Sequence, residues 1–175
     1  MPRTILAGVA AIAALGGCAS IADLPEERVG QAALRLANGI PVGTLQLLKR
    51  GDVVSYAVVL TGLEPGSHGF HLHTAGKCVG PDFTSAGGHL NPGGNSHGSM
   101  SDGGQHLGDL PNLEVGENRS ASSRGDLMGP ASDVLASIFD GDGTAVVVHA
   151  KPDDYRTDPS GDAGSRIACG VIEAS

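Results

Sequence analysis

SHGFHLH, residues 67–73, is the stretch whose reading decides the fold. As a β-strand it sends successive side chains to opposite faces. Phe70 and Leu72 then share one face, and His71 and His73 share the other. The apolar face suits a core. The other face carries two imidazoles side by side, for which a core has no use. Runs on either side follow the same alternation. QAALRLA (31–37) sets Ala32, Leu34 and Leu36 on one face, VGTLQLL (42–48) returns after the turn NGIP, and VVSYAVVL (53–60) aligns Val54, Tyr56, Val58 and Leu60. TAVVVHA (144–150) repeats the opening pattern, with Val146 and Val148 facing one way and Val147 and His149 the other. RIACGVIEA (166–174) reads as a further strand. Short strands parted by Gly, Pro, Asn and Asp turns indicate an all-β antiparallel sandwich or barrel, with no long amphipathic helix.

Composition narrows the function. The 175 residues include 28 glycines and no Trp, so a core must come from Val, Leu, Ile and Ala. The formal charge of −8 argues against nucleic acid or an anionic membrane surface as the main partner. A small anion remains a suitable substrate if positive charge is focused at one site. At the N-terminus, MPRTILAGVAAIAALGGCAS has Arg3, an apolar run from Ile5 to Leu15 and small residues ending at Cys18. That run is too short to span a membrane and reads as an export signal. LGGC resembles a bacterial lipobox, which places a lipid on Cys18; a plain signal cut nearby is the alternative. The expected organisation is a signal at 1–17, a polar tether at 18–29 and one domain at 30–175. Lipid on Cys18 leaves two cysteines, Cys78 and Cys169, in a compartment where a disulfide persists.

Residues 74–112 contain ten glycines and three prolines with little apolar periodicity. A structureless loop of that length inside one domain is expected to be functional or disordered. His89, His97 and His106 are spread through it, so ligand bonds can supply the order that apolar packing cannot. In all there are seven histidines, and Asp109 stands three residues after His106. Imidazole nitrogen suits copper and zinc, and a carboxylate oxygen completes a tetrahedral zinc site. DGDG at 140–143 starts like a calcium loop, but Ala145 and Lys151 occupy the positions that need glycine and glutamate. It reads instead as a hairpin turn feeding the strand of His149.

The segments GFHLH, SAGGHLNPGGNSHG, HLGDLPNL, VVVHAKPDD and GDAGSRIACGVI closely resemble copper/zinc superoxide dismutases of the bacterial exported type, from about residue 31 to the C-terminus. The resemblance implies a Greek-key barrel of about eight strands with a long metal-binding loop. It implies one copper ion on His71, His73, His89 and His149, and one zinc ion on His89, His97, His106 and Asp109, with His89 bridging. It further implies that Asp153 links the outer nitrogens of His71 and His97, that Cys78 and Cys169 form a disulfide, and that His68 is structural. Arg166 matches the arginine that attracts superoxide beside the copper. The implied reaction turns two superoxide anions and two protons into dioxygen and hydrogen peroxide. The implied setting is the bacterial envelope, facing the periplasm; LGGC followed by Ala19 favours a lipid anchor in the outer membrane, and the assembly stays open between a homodimer and a monomer. The substrate-guiding loop of eukaryotic members is short here, YRTDPSGD, so charges other than Arg166 are not assigned a steering role. Two other readings compete. One is a copper-buffering or copper-delivery lipoprotein on the same fold. The other is a sandwich held by zinc alone, which has no need of His71, His73 and His149.

Overall fold

The computed structural model describes residues 25–175. The signal segment, Cys18 and most of the expected tether lie outside the described residues. Nine strands run in chain order: β1 (Glu27–Leu36), β2 (Pro41–Arg50), β3 (Val53–Thr61), β4 (Gly66–His73), β5 (Asp109–Val115), β6 (Ser120–Asp126), β7 (Ala145–His149), β8 (Arg166–Val171) and β9 (Glu173–Ala174). They form one antiparallel path, β5-β4-β7-β8-β1-β2-β3-β6, with β9 added beside β1. β3 is followed by β4 in the chain but pairs with β6, and β4 pairs with β7. These crossovers make the path a Greek key, and its two ends come together to form a nearly closed barrel of eight strands.

Alternation explains the packing. Val54, Tyr56, Val58 and Leu60 of β3 are all buried, as are Leu45 and Leu47 of β2 and Ala32 and Leu34 of β1. Phe70 and Leu72 of β4 join Val146 and Val148 of β7 in the same core, and the rings of Tyr56 and Phe70 meet edge-on at 6.0 Å. Burying each such Leu or Phe stabilises the fold by about 1.5–3 kcal/mol. Leu36 keeps the alternation and packs against the same core, though only half-buried at the end of β1.

Several elements differ from the expectation. β1 begins at Glu27, so the last three residues of the expected tether belong to the sheet, where Glu27 and Arg28 pair with Lys49 and Leu48. The long loop ends at Gly108, because β5 takes up its last residues. A short α-helix, α1 (Ala131–Ile138), buries Ala131, Val134 and Ile138 against the core. It precedes Asp140–Gly143, so that turn joins a helix to β7 and is not a hairpin turn.

The face of β4 and β7 that carries histidine is not left to solvent. Ala145 and Val147 on that side join Phe83, Ala86 and Cys169 in a second, smaller apolar cluster beneath the 74–108 segment. His71 and His73 are fully buried there. A disulfide between Cys78 and Cys169 ties this segment to β8.

Candidate metal centre

β4 supplies His71 and His73, β7 ends on His149, and the covering segment brings His89, His97 and His106; Asp109 opens β5. Each histidine of the first set is held by one ring nitrogen and offers the other. His73 Nδ1–H donates to the Gly87 carbonyl at 2.9 Å, and His149 Nδ1–H donates to the Gly164 carbonyl at 3.1 Å. His71 Nε2–H donates to Asp153 Oδ2 at 2.8 Å. Such outer bonds fix the tautomer and aim the free lone pair. The nitrogens left over, His71 Nδ1, His73 Nε2, His89 Nε2 and His149 Nε2, are buried without a hydrogen-bond partner. An unsatisfied buried polar atom costs about 1–3 kcal/mol. Four of them, all within 4.8 Å of one another, are accounted for by a cation that accepts their lone pairs.

The second set shares His89. Asp109 Oδ1 lies 2.8 Å from His89 Nδ1 and 3.1 Å from both His97 Nδ1 and His106 Nδ1. Asp109 Oδ2 accepts the backbone N–H groups of Gly98 at 2.8 Å and His106 at 3.0 Å, which orients the carboxylate. Three nitrogens and one oxygen at this spacing fit zinc, and the nitrogen-only first set fits copper.

Asp153 joins the two sets. Its Oδ1 accepts from His97 Nε2 at 2.9 Å while its Oδ2 accepts from His71. Gly161 closes over this carboxylate at φ +65°; a Cβ there would stand 1.8 Å from Asp153 Oδ1 and 2.6 Å from His97 Nε2. Only glycine combines that backbone with that approach.

Electrostatics follow burial. In the metal-free protein burial pushes His73 down to about 2, His149 to about 3 and His89 to about 4, and lowers His71. Burial acts the same way on His97, but the carboxylates of Asp109 and Asp153 outweigh it and raise that ring to about 9. Burial would raise both carboxyls; their bonds from histidine instead hold Asp109 and Asp153 well below the usual range.

Arg166 lines a cavity of about 390 Å³ together with His73, His89, His149 and Ser160. Its Nη1 donates to the Phe83 carbonyl at 2.7 Å and its Nη2 to the Gly87 carbonyl at 2.6 Å. Burial lowers its pKa from the ordinary arginine value, and the Asp82 carboxylate opposes that shift. His68 stands apart from both sets, with Nδ1 2.8 Å from the His149 carbonyl and Nε2 2.9 Å from that of Glu64.

The sequence-predicted residues thus converge, and several others that sequence reasoning missed converge with them. Asp158 Oδ1 accepts the His97 backbone N–H at 2.6 Å, and Asn112 and Gly161 surround Asp153. Asn91 and Asn95 close the GGN turn on each other, with Asn91 Oδ1 accepting the Asn95 N–H and Asn91 Nδ2 donating to its carbonyl. No local pattern marks these residues, because each acts on a partner distant in the chain or through a turn.

A Greek-key barrel whose outer face carries two ligand clusters joined by one histidine defines a binuclear metalloprotein. The family model for copper/zinc superoxide dismutase matches residues 42–172. The chain belongs to that family, whose members use copper and zinc. It is 37% identical over 156 residues to superoxide dismutase [Cu-Zn] 2 of Aquifex aeolicus, covering 86% of this chain and 90% of that one. It is 38% identical over 164 residues to the superoxide dismutase-like protein YojM of Bacillus subtilis, covering 85% and 82%. The crystal structure of a superoxide dismutase-like protein from Bacillus subtilis superposes with a TM-score of 0.72 at 38% identity, over 81% of this chain and 96% of that one. Cu/Zn superoxide dismutase from Brucella abortus gives 0.66 at 27% identity, over 85% and 100%.

Proposed function

We propose that the protein dismutes superoxide, with copper held by His71, His73, His89 and His149 and zinc by His89, His97, His106 and Asp109. The observation that carries this reading is the four orphaned nitrogens of the first set, one of them on the histidine shared with the second set. Copper in the first set would supply one-electron exchange with superoxide, so that two superoxide anions and two protons yield dioxygen and hydrogen peroxide.

The chain's own residues do the rest. His89 is buried between the sets with Nδ1 turned to the zinc group and Nε2 to the copper group, so Nε2 is the atom that takes and gives a proton. Asp153 keeps His71 and His97 in register. Arg166 presents a permanent positive charge at the cavity mouth, fixed by two carbonyls, and draws a small anion toward His73, His89 and His149. That arrangement favours an enzyme over a copper store, which has no need of a pinned guanidinium at the mouth.

The test is superoxide removal by metal-loaded protein, read beside the metal content of His89→Ala and His106→Ala. His89→Ala should lose metal from both sets, and His106→Ala mainly zinc. Full copper and zinc in His89→Ala, or no removal of superoxide by loaded parent, refutes the reading. The signal-like N-terminus and LGGC support export and a lipid on Cys18, anchoring the enzyme to the bacterial outer membrane on its periplasmic side. Mass spectrometry of the mature N-terminus tests this, and an unmodified start at any other residue refutes it.

A further inference from the structure

The pairing between β4 and β5 is broken at one place. His68 pairs with Leu113 and Phe70 with Leu110, so Pro111 and Asn112 bulge out opposite Gly69. The groups freed by this bulge turn to the segment after His149. Gly69 N–H donates to the Lys151 carbonyl at 2.8 Å instead of to β5. The Asn112 backbone N–H donates to Tyr155 Oη at 2.9 Å. The Asn112 side chain grips the backbone of Asp153 from both sides: its Oδ1 accepts the Asp153 N–H at 2.8 Å, and its Nδ2 donates to the Asp153 carbonyl at 2.9 Å. Bulges beside functional sites commonly re-aim a side chain in this way.

Asp153 sits in a stretch, residues 150–165, that contains no strand or helix. Within that stretch the carboxylate takes one hydrogen bond, from the Tyr155 N–H to Asp153 Oδ1 at 2.7 Å. Asn112 is different. It stands on the barrel, three residues beyond Asp109 on the same strand, and so ties the carboxylate to the framework that carries a ligand. We infer that Asn112 is a positioning residue for the metal centre, fixing the backbone of Asp153 so that its carboxylate holds the outer nitrogens of His71 and His97. The inference rests on the reading of those two histidines as metal ligands.

Loss of an outer partner of a metal ligand typically costs 10- to 100-fold in metal affinity. The test follows zinc leaving the copper- and zinc-loaded protein into an excess of chromogenic chelator, for parent, Asn112→Ala, Asn112→Asp and Leu113→Ala. Asn112→Ala, which keeps Asp153 but loosens its backbone, should release zinc faster than the parent by up to about tenfold. Asn112→Asp, which keeps the acceptor for the Asp153 N–H and loses the donor to its carbonyl, should fall between; it also serves if the alanine variant does not fold. Leu113→Ala lies on the same strand but faces the core, so it should lower the melting temperature more and speed zinc release less. Cobalt(II) in place of zinc gives a second reading, since its ligand-field spectrum should shift in the Asn112 variants and not in Leu113→Ala. Release from the Asn112 variants at the parent rate, or no faster than from Leu113→Ala, overturns the inference. A parent that takes up neither zinc nor cobalt refutes the metal reading beneath it.

Discussion

Replacing Arg166 separates its charge from its geometry. Among the described residues lining the cavity it is the only arginine or lysine, and arginine carries no lone pair for ligation, so its loss should leave both metals in place. One unit charge acting on a small anion at about 7 Å with an effective dielectric near 20 is worth roughly 2.4 kcal/mol, an upper bound near 50-fold in rate. The guanidinium is half-exposed at the mouth, so water and salt screen part of this, leaving about tenfold for Arg166→Ala. Arg166→Glu removes one charge and adds the opposite one, doubling the energy to about a hundredfold loss. Arg166→Lys should lie between parent and alanine. It keeps the charge, but one ammonium cannot match the planar fork that reaches the carbonyls of both Phe83 and Gly87. Pulse radiolysis or stopped-flow measurement on metal-loaded variants over a range of ionic strength gives the comparison. The parent rate should fall with added salt and that of Arg166→Glu should rise. A metal-loaded Arg166→Glu that matches the parent at low salt would show that the charge has no part in the reaction.

Gly161→Ala should cost about 1–2 kcal/mol for a left-handed backbone and displace the Asp153 carboxylate, lowering zinc affinity by about tenfold or more; unchanged zinc affinity by competition titration would contradict the close approach described for it. The metal-free protein should be acid-sensitive. His73, His89 and His149 have folded pKa values below the unfolded 6.5, so their contribution is present above about pH 6.5 and is lost as pH falls toward 4. With three protons involved the slope reaches at most about 4 kcal/mol per pH unit. His97 runs the other way: its contribution is complete below 6.5 and is lost as pH rises through about 9. Urea unfolding of metal-free protein at pH 7 and pH 5 measures this, and a difference below about 1 kcal/mol would be incompatible with neutral buried rings. Replacing Cys78 and Cys169 by serine removes a bridge spanning 91 residues, for which loop entropy sets an upper limit of roughly 4–5 kcal/mol. It should also quicken zinc loss, because the bridge ties down the segment that carries His89 and His97; equal zinc retention in the double variant would argue against that link.

How much of this was legible in the sequence depends on the range of the interaction. β1 to β4, β7 and β8 showed themselves because period-2 alternation is a local property of strands facing one core. β6, SASSRGD, has no such signal: it is serine-rich and buries only Ala121 well. β5 was hidden by Pro111 and by the bulge that breaks its alternation. The eight residues of α1 give two turns, too few for a periodic pattern to stand out. At the metal centre, the resemblance to the family's motifs pointed to the histidines, Asp109, Asp153 and Arg166. Alternation alone left the imidazole face of β4 uncovered. Its burial comes from the 74–108 segment folding over it, a consequence of tertiary contact. Asn112, Asp158 and Gly161 were invisible for the same reason, since each is defined by a partner 41 or more positions away or by the space left beneath another residue.

Arg166 is the first residue of β8, yet its direction is set by Phe83 and Gly87, which lie between Cys78 and His89 on another part of the chain. Cys169, three residues along the same strand, is bonded to Cys78. Strand and covering segment are therefore joined twice, once covalently and once through the guanidinium. With both thiols reduced, only the guanidinium joint remains between them. The bridge that holds the covering segment to β8 therefore also holds the two carbonyls that aim the positive charge over the cavity, although it touches no metal ligand.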